Sequence, residues 1–214
     1  MKISEDEKWI RAALEEGRRG IGFTAPNPPV GAVIVKNGIA IARGWHHKVG
    51  SPHAEKDALS KLKGEEAQGA TVYVTLEPCS THGRTGACTE ALISAGVSKV
   101  VYGACDPNPS HSGGADKILE SAGIKVVTGI LEEECQDLIR GFSTVQTLGR
   151  PWLIAKTAMS LDGRITRPKG EGQWLSGTEA REEVQQLRTE ADAILTSGET
   201  IRRDNPALTL RLSL

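Results

Sequence analysis

From Ser4 to Gly141 the chain alternates short β-branched runs with stretches of helical periodicity. Such an order folds into a sheet covered by helices. Ser4 followed by Glu7 forms a capping-box pattern and predicts a helix running to about Arg18. Val30–Val35 and Ile39–Trp45 read as strands joined at Asn37-Gly38, a dipeptide that tolerates the positive φ of a tight hairpin. Further strands are expected over Thr71–Leu76, Lys99–Gly103 and Lys125–Thr128. Helices are expected over Ala54–Leu62, Thr89–Ala95, Ala115–Ala122 and Leu131–Gly141, with Gly96 and Gly123 as stop signals. One hairpin followed by strand–helix alternation predicts an α/β fold, a three-layer αβα arrangement around a mixed sheet.

The pattern changes between Ser143 and Arg150. A strand is expected over Trp152–Thr157, a turn at Leu161-Asp162-Gly163, a helix over Thr178–Arg188 and a strand over Ala193–Thr196. The sequence therefore divides into a domain over residues 1–146 and the first part of a second over 147–214. Lys plus Arg total 26 against 27 Asp plus Glu, a net charge of −1, so the basic footprint of a nucleic-acid-binding protein is missing. No apolar run approaches the ~20 residues of a membrane span. Met1 to Glu7 carries charges of both signs and no apolar stretch of a signal peptide. The expectation is a soluble, cytoplasmic protein with neither a membrane nor a nucleic-acid partner.

Structural disulfides are rare in the cytosol, so four cysteines there direct attention to metal binding or catalysis. Cys105 and Cys135 lie far from any His-x-Glu and are expected to be small buried hydrophobes. Cys79 and Cys88 are different. Pro78-Cys79 follows a strand, Cys88 opens the next helix, and His53-Ala54-Glu55 stands at another helix start. One imidazole and two thiolates make a three-ligand set for Zn²⁺ that leaves a fourth tetrahedral position for water, the catalytic rather than the structural arrangement. Glu55, two residues beyond the ligand His53, is placed to act as proton shuttle.

A His-x-Glu followed by Pro-Cys resembles the signature of zinc-dependent nucleobase deaminases. In that chemistry water attacks the ring carbon bearing the amino group. Glu55 takes a proton from the water and returns it to the ring nitrogen and the departing ammonia. The residues by themselves leave open a deaminase of another base or nucleotide, and a non-catalytic subunit in which zinc only holds the fold.

Asn27-Pro28-Pro29-Val30-Gly31, Gly44-Trp45-His46, His53-Ala54-Glu55, Thr75 to Cys79, His82-Gly83-Arg84-Thr85, Cys88 and Asp106-Pro107-Asn108-Pro109 together resemble the bifunctional deaminase/reductase family of riboflavin biosynthesis. The resemblance covers nearly the whole chain. The long gap between Cys79 and Cys88 sets it apart from deaminases with a Cys-x-x-Cys pair. It implies a cytidine-deaminase-like fold for the first domain. The implied reaction converts 2,5-diamino-6-(5-phosphoribosylamino)pyrimidin-4(3H)-one to its 5-amino uracil analogue with loss of ammonia. By position His53, Cys79 and Cys88 would bind zinc, Glu55 would move the proton, Asn27 and His46 would contact substrate, and Arg84 would meet its phosphate. Thr81 stands where the family commonly has a histidine.

Ser160-Leu161-Asp162-Gly163, Gln173-Trp174, Arg188 and the run from Thr200 to Arg211 resemble the start of the same family's reductase domain, which is dihydrofolate-reductase-like and uses NADPH. The resemblance places Ala158, Trp174, Thr200 and Asp204 against the nicotinamide cofactor, and Arg188, Leu208 and Arg211 against the ribosyl substrate. Gly172 occupies a position where the family often has a serine. The domain is expected to continue well beyond residue 214, so reductase activity is expected to be weak or absent in this chain. Homo-oligomerisation is expected of the full-length form.

Overall fold

Ser4 Oγ accepts from the Glu7 amide at 3.1 Å, and a Glu7 carboxylate oxygen accepts from the Ser4 amide at 3.1 Å. The capping box therefore forms and opens α1 (Glu5–Arg18). In this computed structural model, residues 3–81, 86–109, 113–168, 170–172 and 174–211 are described. They fall into two units, residues 1–152 and 153–214.

In the first unit β1 (Gly31–Lys36) and β2 (Ile39–Trp45) form the expected hairpin, with Asn37 at φ 53° and Gly38 at φ 75°. α2 (Ala54–Ser60), β3 (Thr71–Leu76), α3 (Cys88–Ser94), β4 (Lys99–Ala104), α4 (Ala115–Ser121) and β5 (Lys125–Thr128) follow. The sheet order is β2-β1-β3-β4-β5. β1 runs antiparallel to both β2 and β3, whereas β3, β4 and β5 are parallel. β3 and β4 are buried along nearly their whole length, as expected of parallel strands covered on both faces.

Strand periodicity sorts the core into two layers. Val33, Val35, Tyr73 and Val101 pack against Trp9, Ile10, Ala13 and Leu14 of α1 and against Cys135 and Ile139. Ala32, Ile34, Val72, Val74, Val100 and Tyr102 face Ala54 and Ala58 of α2, Leu92 of α3 and Leu119 of α4. The result is the three-layer αβα arrangement.

The expected helix over Leu131–Gly141 is two helices, α5 (Glu132–Leu138) and α6 (Arg140–Leu148). The break falls at Ile139, with φ −103° and ψ 15°. Ile139 is buried in the α1-side core, so packing rather than periodicity sets this boundary. Cys135 is buried, but Cys105 is exposed, contrary to expectation, because it follows the last residue of β4. The Cys135 thiol is pushed up to about 12, chiefly by burial.

Gly44 places α2 against the sheet. A Cβ there would stand 2.4 Å from both the Ala54 carbonyl oxygen and the Ala58 amide nitrogen. Gly44→Ala is expected to destabilise the fold by about 3 kcal/mol, read as a lower urea midpoint at unchanged slope.

The second unit contains α7 (Thr178–Thr189) and α8 (Gly198–Asp204) and no strand among its described residues. The strands expected over Trp152–Thr157 and Ala193–Thr196 do not form. A strand needs a partner for its backbone donors and acceptors, and neither segment is in a sheet among the described residues. Leu153 is 74 % exposed and Leu195 98 %. The turn at Leu161-Asp162-Gly163 does form, with the Ser160 amide donating to the Arg164 carbonyl at 2.9 Å and Gly163 at φ 81°.

Candidate active site and metal centre

Three chain segments converge beyond the end of β3. His53 is the N-cap residue of α2. Cys79 follows β3 through Glu77 and Pro78, and Cys88 is the first residue of α3. The start of α3 is tied to Cys79, whose carbonyl accepts from the Cys88 and Thr89 amides at 3.0 and 3.2 Å. The Cys88 amide also donates to Cys79 Sγ at 3.3 Å.

His53 Nδ1 lies 3.5 Å from Cys79 Sγ and 3.3 Å from Cys88 Sγ. All three donor atoms fall within 4.8 Å of one another. A tetrahedral zinc with usual bond lengths holds sulfur and nitrogen about 3.6 Å apart. The donor set therefore fits zinc in both type and spacing. The Cys88 thiol hydrogen-bonds to Cys79 and holds the Cys79 thiol below its ordinary range despite burial, with help from His53 and the Cys88 amide. Cys88, on the other side of that bond, is pushed up. Metal binding requires both as thiolates and releases their protons.

Glu55 lies on the first turn of α2 and is 3 % exposed. Burial pushes its carboxyl above the usual range, Cys79 adds to this, and His53 opposes it. A carboxyl so placed is suited to hold and pass on a proton.

His46 is also 3 % exposed. Its ring meets that of His53 edge-on, with centroids 5.5 Å apart. His46 Nδ1 lies 3.0 Å from the Pro52 carbonyl, and Nε2 lies 3.1 Å from Asn27 Nδ2. Burial lowers its pKa against the opposing Pro52 hydrogen bond. Asn27 and His46 thus sit beside the donor triangle, whereas Arg84 lies outside the described residues.

Two contributors escape sequence reading. Glu77 is buried, and its carboxylate accepts from the amides of Asp106 (3.2 Å), Gly113 (3.1 Å) and Ala115 (3.2 Å). It fastens the segment after β4 to the strand end that delivers Cys79. A carboxylate inside an otherwise apolar strand end is the signal that could have found it. Glu77→Gln is expected to cost about 2–4 kcal/mol in urea unfolding, because an amide cannot accept from all three donors. Lys56 Nζ donates to the Gly86 carbonyl at 2.9 Å, joining α2 to the approach to Cys88, and carries no sequence signal.

Residues 3–104 match the family described as the cytidine and deoxycytidylate deaminase zinc-binding region, and residues 151–213 match the RibD C-terminal domain. Over 209 residues the chain is 47 % identical to the riboflavin biosynthesis protein RibD of Escherichia coli (strain K12), covering 98 % of this chain and 57 % of that protein. The chain is thus similar to RibD proteins over nearly its whole length. A solved structure of Acinetobacter baumannii RibD, form 1, is 45 % identical with a TM-score of 0.87, covering 98 % of this chain and 59 % of that one. The Thermotoga maritima diaminohydroxyphosphoribosylaminopyrimidine deaminase/5-amino-6-(5-phosphoribosylamino)uracil reductase is 42 % identical with a TM-score of 0.90, covering 97 % of this chain and 60 % of that one. The chain thus spans somewhat more than half the length of these RibD relatives.

Within the RibD C-terminal segment, a cavity of about 660 Å³ brings Ala158, Trp174, Arg188, Asp204 and Arg211 together. Thr200 and Leu208 are not among its lining residues. The Thr200 amide instead donates to Ser197 Oγ at 3.1 Å, capping α8. Arg188 donates to the Thr209 carbonyl at 2.9 Å, and the Arg181 guanidinium lies over the Trp174 ring at 5.0 Å. No helix of the described residues is long and apolar enough to cross a membrane.

Proposed function

We propose that this chain deaminates 2,5-diamino-6-(5-phosphoribosylamino)pyrimidin-4(3H)-one to the 5-amino uracil derivative, releasing ammonia, as a zinc-dependent step of riboflavin biosynthesis in the cytoplasm. The observation that carries this reading is the buried carboxyl of Glu55 beside a His53–Cys79–Cys88 triangle of zinc dimensions. Similarity to RibD proteins supports this substrate within the wider deaminase class.

Zinc, when bound, supplies a Lewis acid that lowers the pKa of water to near neutrality. His53, Cys79 and Cys88 hold it. Glu55 takes one proton from the attacking water and gives it to the ring nitrogen, then takes the second from the oxygen added to the ring carbon and gives it to the amino group, which leaves as ammonia as the carbonyl forms. Its burial favours the protonated form it must pass through. Asn27 orients the pyrimidine, and Arg84 offers a fork of donors to the phosphate.

A second reading concerns residues 147–214 as part of a reductase domain. The cavity lined by Ala158, Trp174, Arg188, Asp204 and Arg211 supports a binding role for NADPH and a ribosyl substrate. Thr200 and Leu208 belong to the same reading by position. With no strand ladder among its described residues, the segment is expected to oxidise NADPH weakly or not at all. Homo-oligomers, as expected of the full-length form, would show in sedimentation velocity.

The test is ammonia release from the diaminopyrimidinone ribosyl phosphate by the zinc-loaded chain, with and without NADPH. Ammonia without NADPH oxidation is the expected result. No ammonia from folded, zinc-loaded protein overturns the substrate assignment, and NADPH oxidation overturns the reading of an inert reductase segment.

A further inference from the structure

Given the zinc centre read above, on which this rests, we propose that Lys56 is a positioning residue for the metal. Its bond to the Gly86 carbonyl sets the gap between His53 and Cys88, so that the donor triangle already has zinc dimensions when the metal binds.

The three donors come from two parts of the first unit. His53 caps α2, which lies against the β1–β2 hairpin through Ala54 and Ala58 over Gly44. Cys79 and Cys88 come from the end of β3 and the start of α3. The two cysteines are held to each other by backbone, since the Cys79 carbonyl accepts from the Cys88 and Thr89 amides. Across the gap to α2, His53 Nδ1 reaches both sulfurs and the Glu55 side chain bonds to Cys88. Each of those contacts ends on a ligand atom, so metal binding replaces or alters it.

The Lys56 bond is of another kind. Nζ donates to the Gly86 carbonyl at 2.9 Å, across the same gap, and neither end is a metal ligand. It can therefore stand with or without zinc. Gly86 lies two residues before Cys88, and Lys56 lies three residues after His53 on the first turn of α2. That spacing puts His53 and Lys56 on one face of the helix, the face that meets the cysteine segment. An ammonium donating to a carbonyl is a charge-assisted bond, the stronger class. Donors left to drift apart must be drawn together by the metal, and that work is lost from affinity. Removing a group that orients metal ligands costs about 10–100-fold in binding.

Zinc affinity of the full chain, measured by competition with a chromophoric chelator, tests this without substrate. Lys56→Met keeps a stem of similar length and removes the donor. It is expected to bind zinc about tenfold more weakly under conditions where both metal-free proteins are folded by circular dichroism. Lys56→Arg, which keeps a charged donor on a long stem, is expected to recover most of the loss. Equal affinity in wild type and Lys56→Met overturns the proposal, as does failure of arginine to recover binding.

The ammonium also acts on His53 and Cys88 as a charge. Salt separates the two actions. A tie keeps the wild-type-to-variant ratio the same between about 0.05 and 0.5 M NaCl, whereas a field effect fades. A ratio that collapses at the higher salt overturns the proposal. A readout on the unaltered chain covers the case in which Lys56→Met does not fold. In ¹⁵N NMR of the metal-free protein, the Lys56 ammonium should exchange its protons slowly and couple to the Gly86 carbonyl. A fast-exchanging, uncoupled ammonium overturns the tie. A wild-type chain that takes up no zinc overturns the metal centre and the tie with it, whereas equal zinc binding by wild type and Lys56→Met overturns the tie alone.

Discussion

Glu55→Gln is expected to lower kcat for ammonia release by about 10²–10⁴-fold while zinc stoichiometry and the urea midpoint stay close to wild type. Glutamine keeps the volume of the buried side chain and removes its ability to carry the proton. Glu55 is not one of the three donors around the metal position, so the ligand set survives the change. Stopped-time ammonia assays and metal analysis on the same sample check this. A variant that keeps its rate would leave zinc as a purely structural feature of the fold. A variant that loses zinc would mean that Glu55 acts on the ligand shell instead of the substrate.

Cys88→Ala carries the second large effect. It removes one of three donors from the metal position and leaves His53 and Cys79, which cannot hold zinc in a catalytic site alone. Bound zinc is expected to fall from about one equivalent to below a tenth after dialysis, with ammonia release lost in proportion. The local fold should also loosen, because Cys88 is a fully buried residue at the start of α3 and its side chain packs against His53. Titrating zinc into the variant while following unfolding separates the two consequences. Wild type should gain stability with zinc, and Cys88→Ala should gain far less. Equal gains would place the metal elsewhere.

Much of this is legible in the amino-acid sequence. The Asn37-Gly38 hairpin, the Ser4/Glu7 capping box and the strand runs each rest on interactions between residues close in sequence. The candidate zinc donors were legible for a different reason: His, Cys and Cys have few other uses together in a chain without a disulfide context. Local chemistry did not reveal what depends on distant partners. Glu77 is informative only once Asp106, Gly113 and Ala115 surround it. The strands expected over Trp152–Thr157 and Ala193–Thr196 had the right residues but form no strand among the described residues. The expected helix over Leu131–Gly141 broke where Ile139 enters the core.

The sequence by itself singled out the candidate donors, the candidate shuttle and the order of elements from α1 to β5, because periodicity and residue type are properties of short segments. Only the tertiary structure decided that His53 Nδ1 meets both sulfurs within 3.5 Å, and that His46 is spent on Pro52 and Asn27 instead of facing outward. Those facts depend on how α2 lies on β2 over Gly44 and where β3 ends. Such long-range packing is a sum over many weak contacts that no single segment contains.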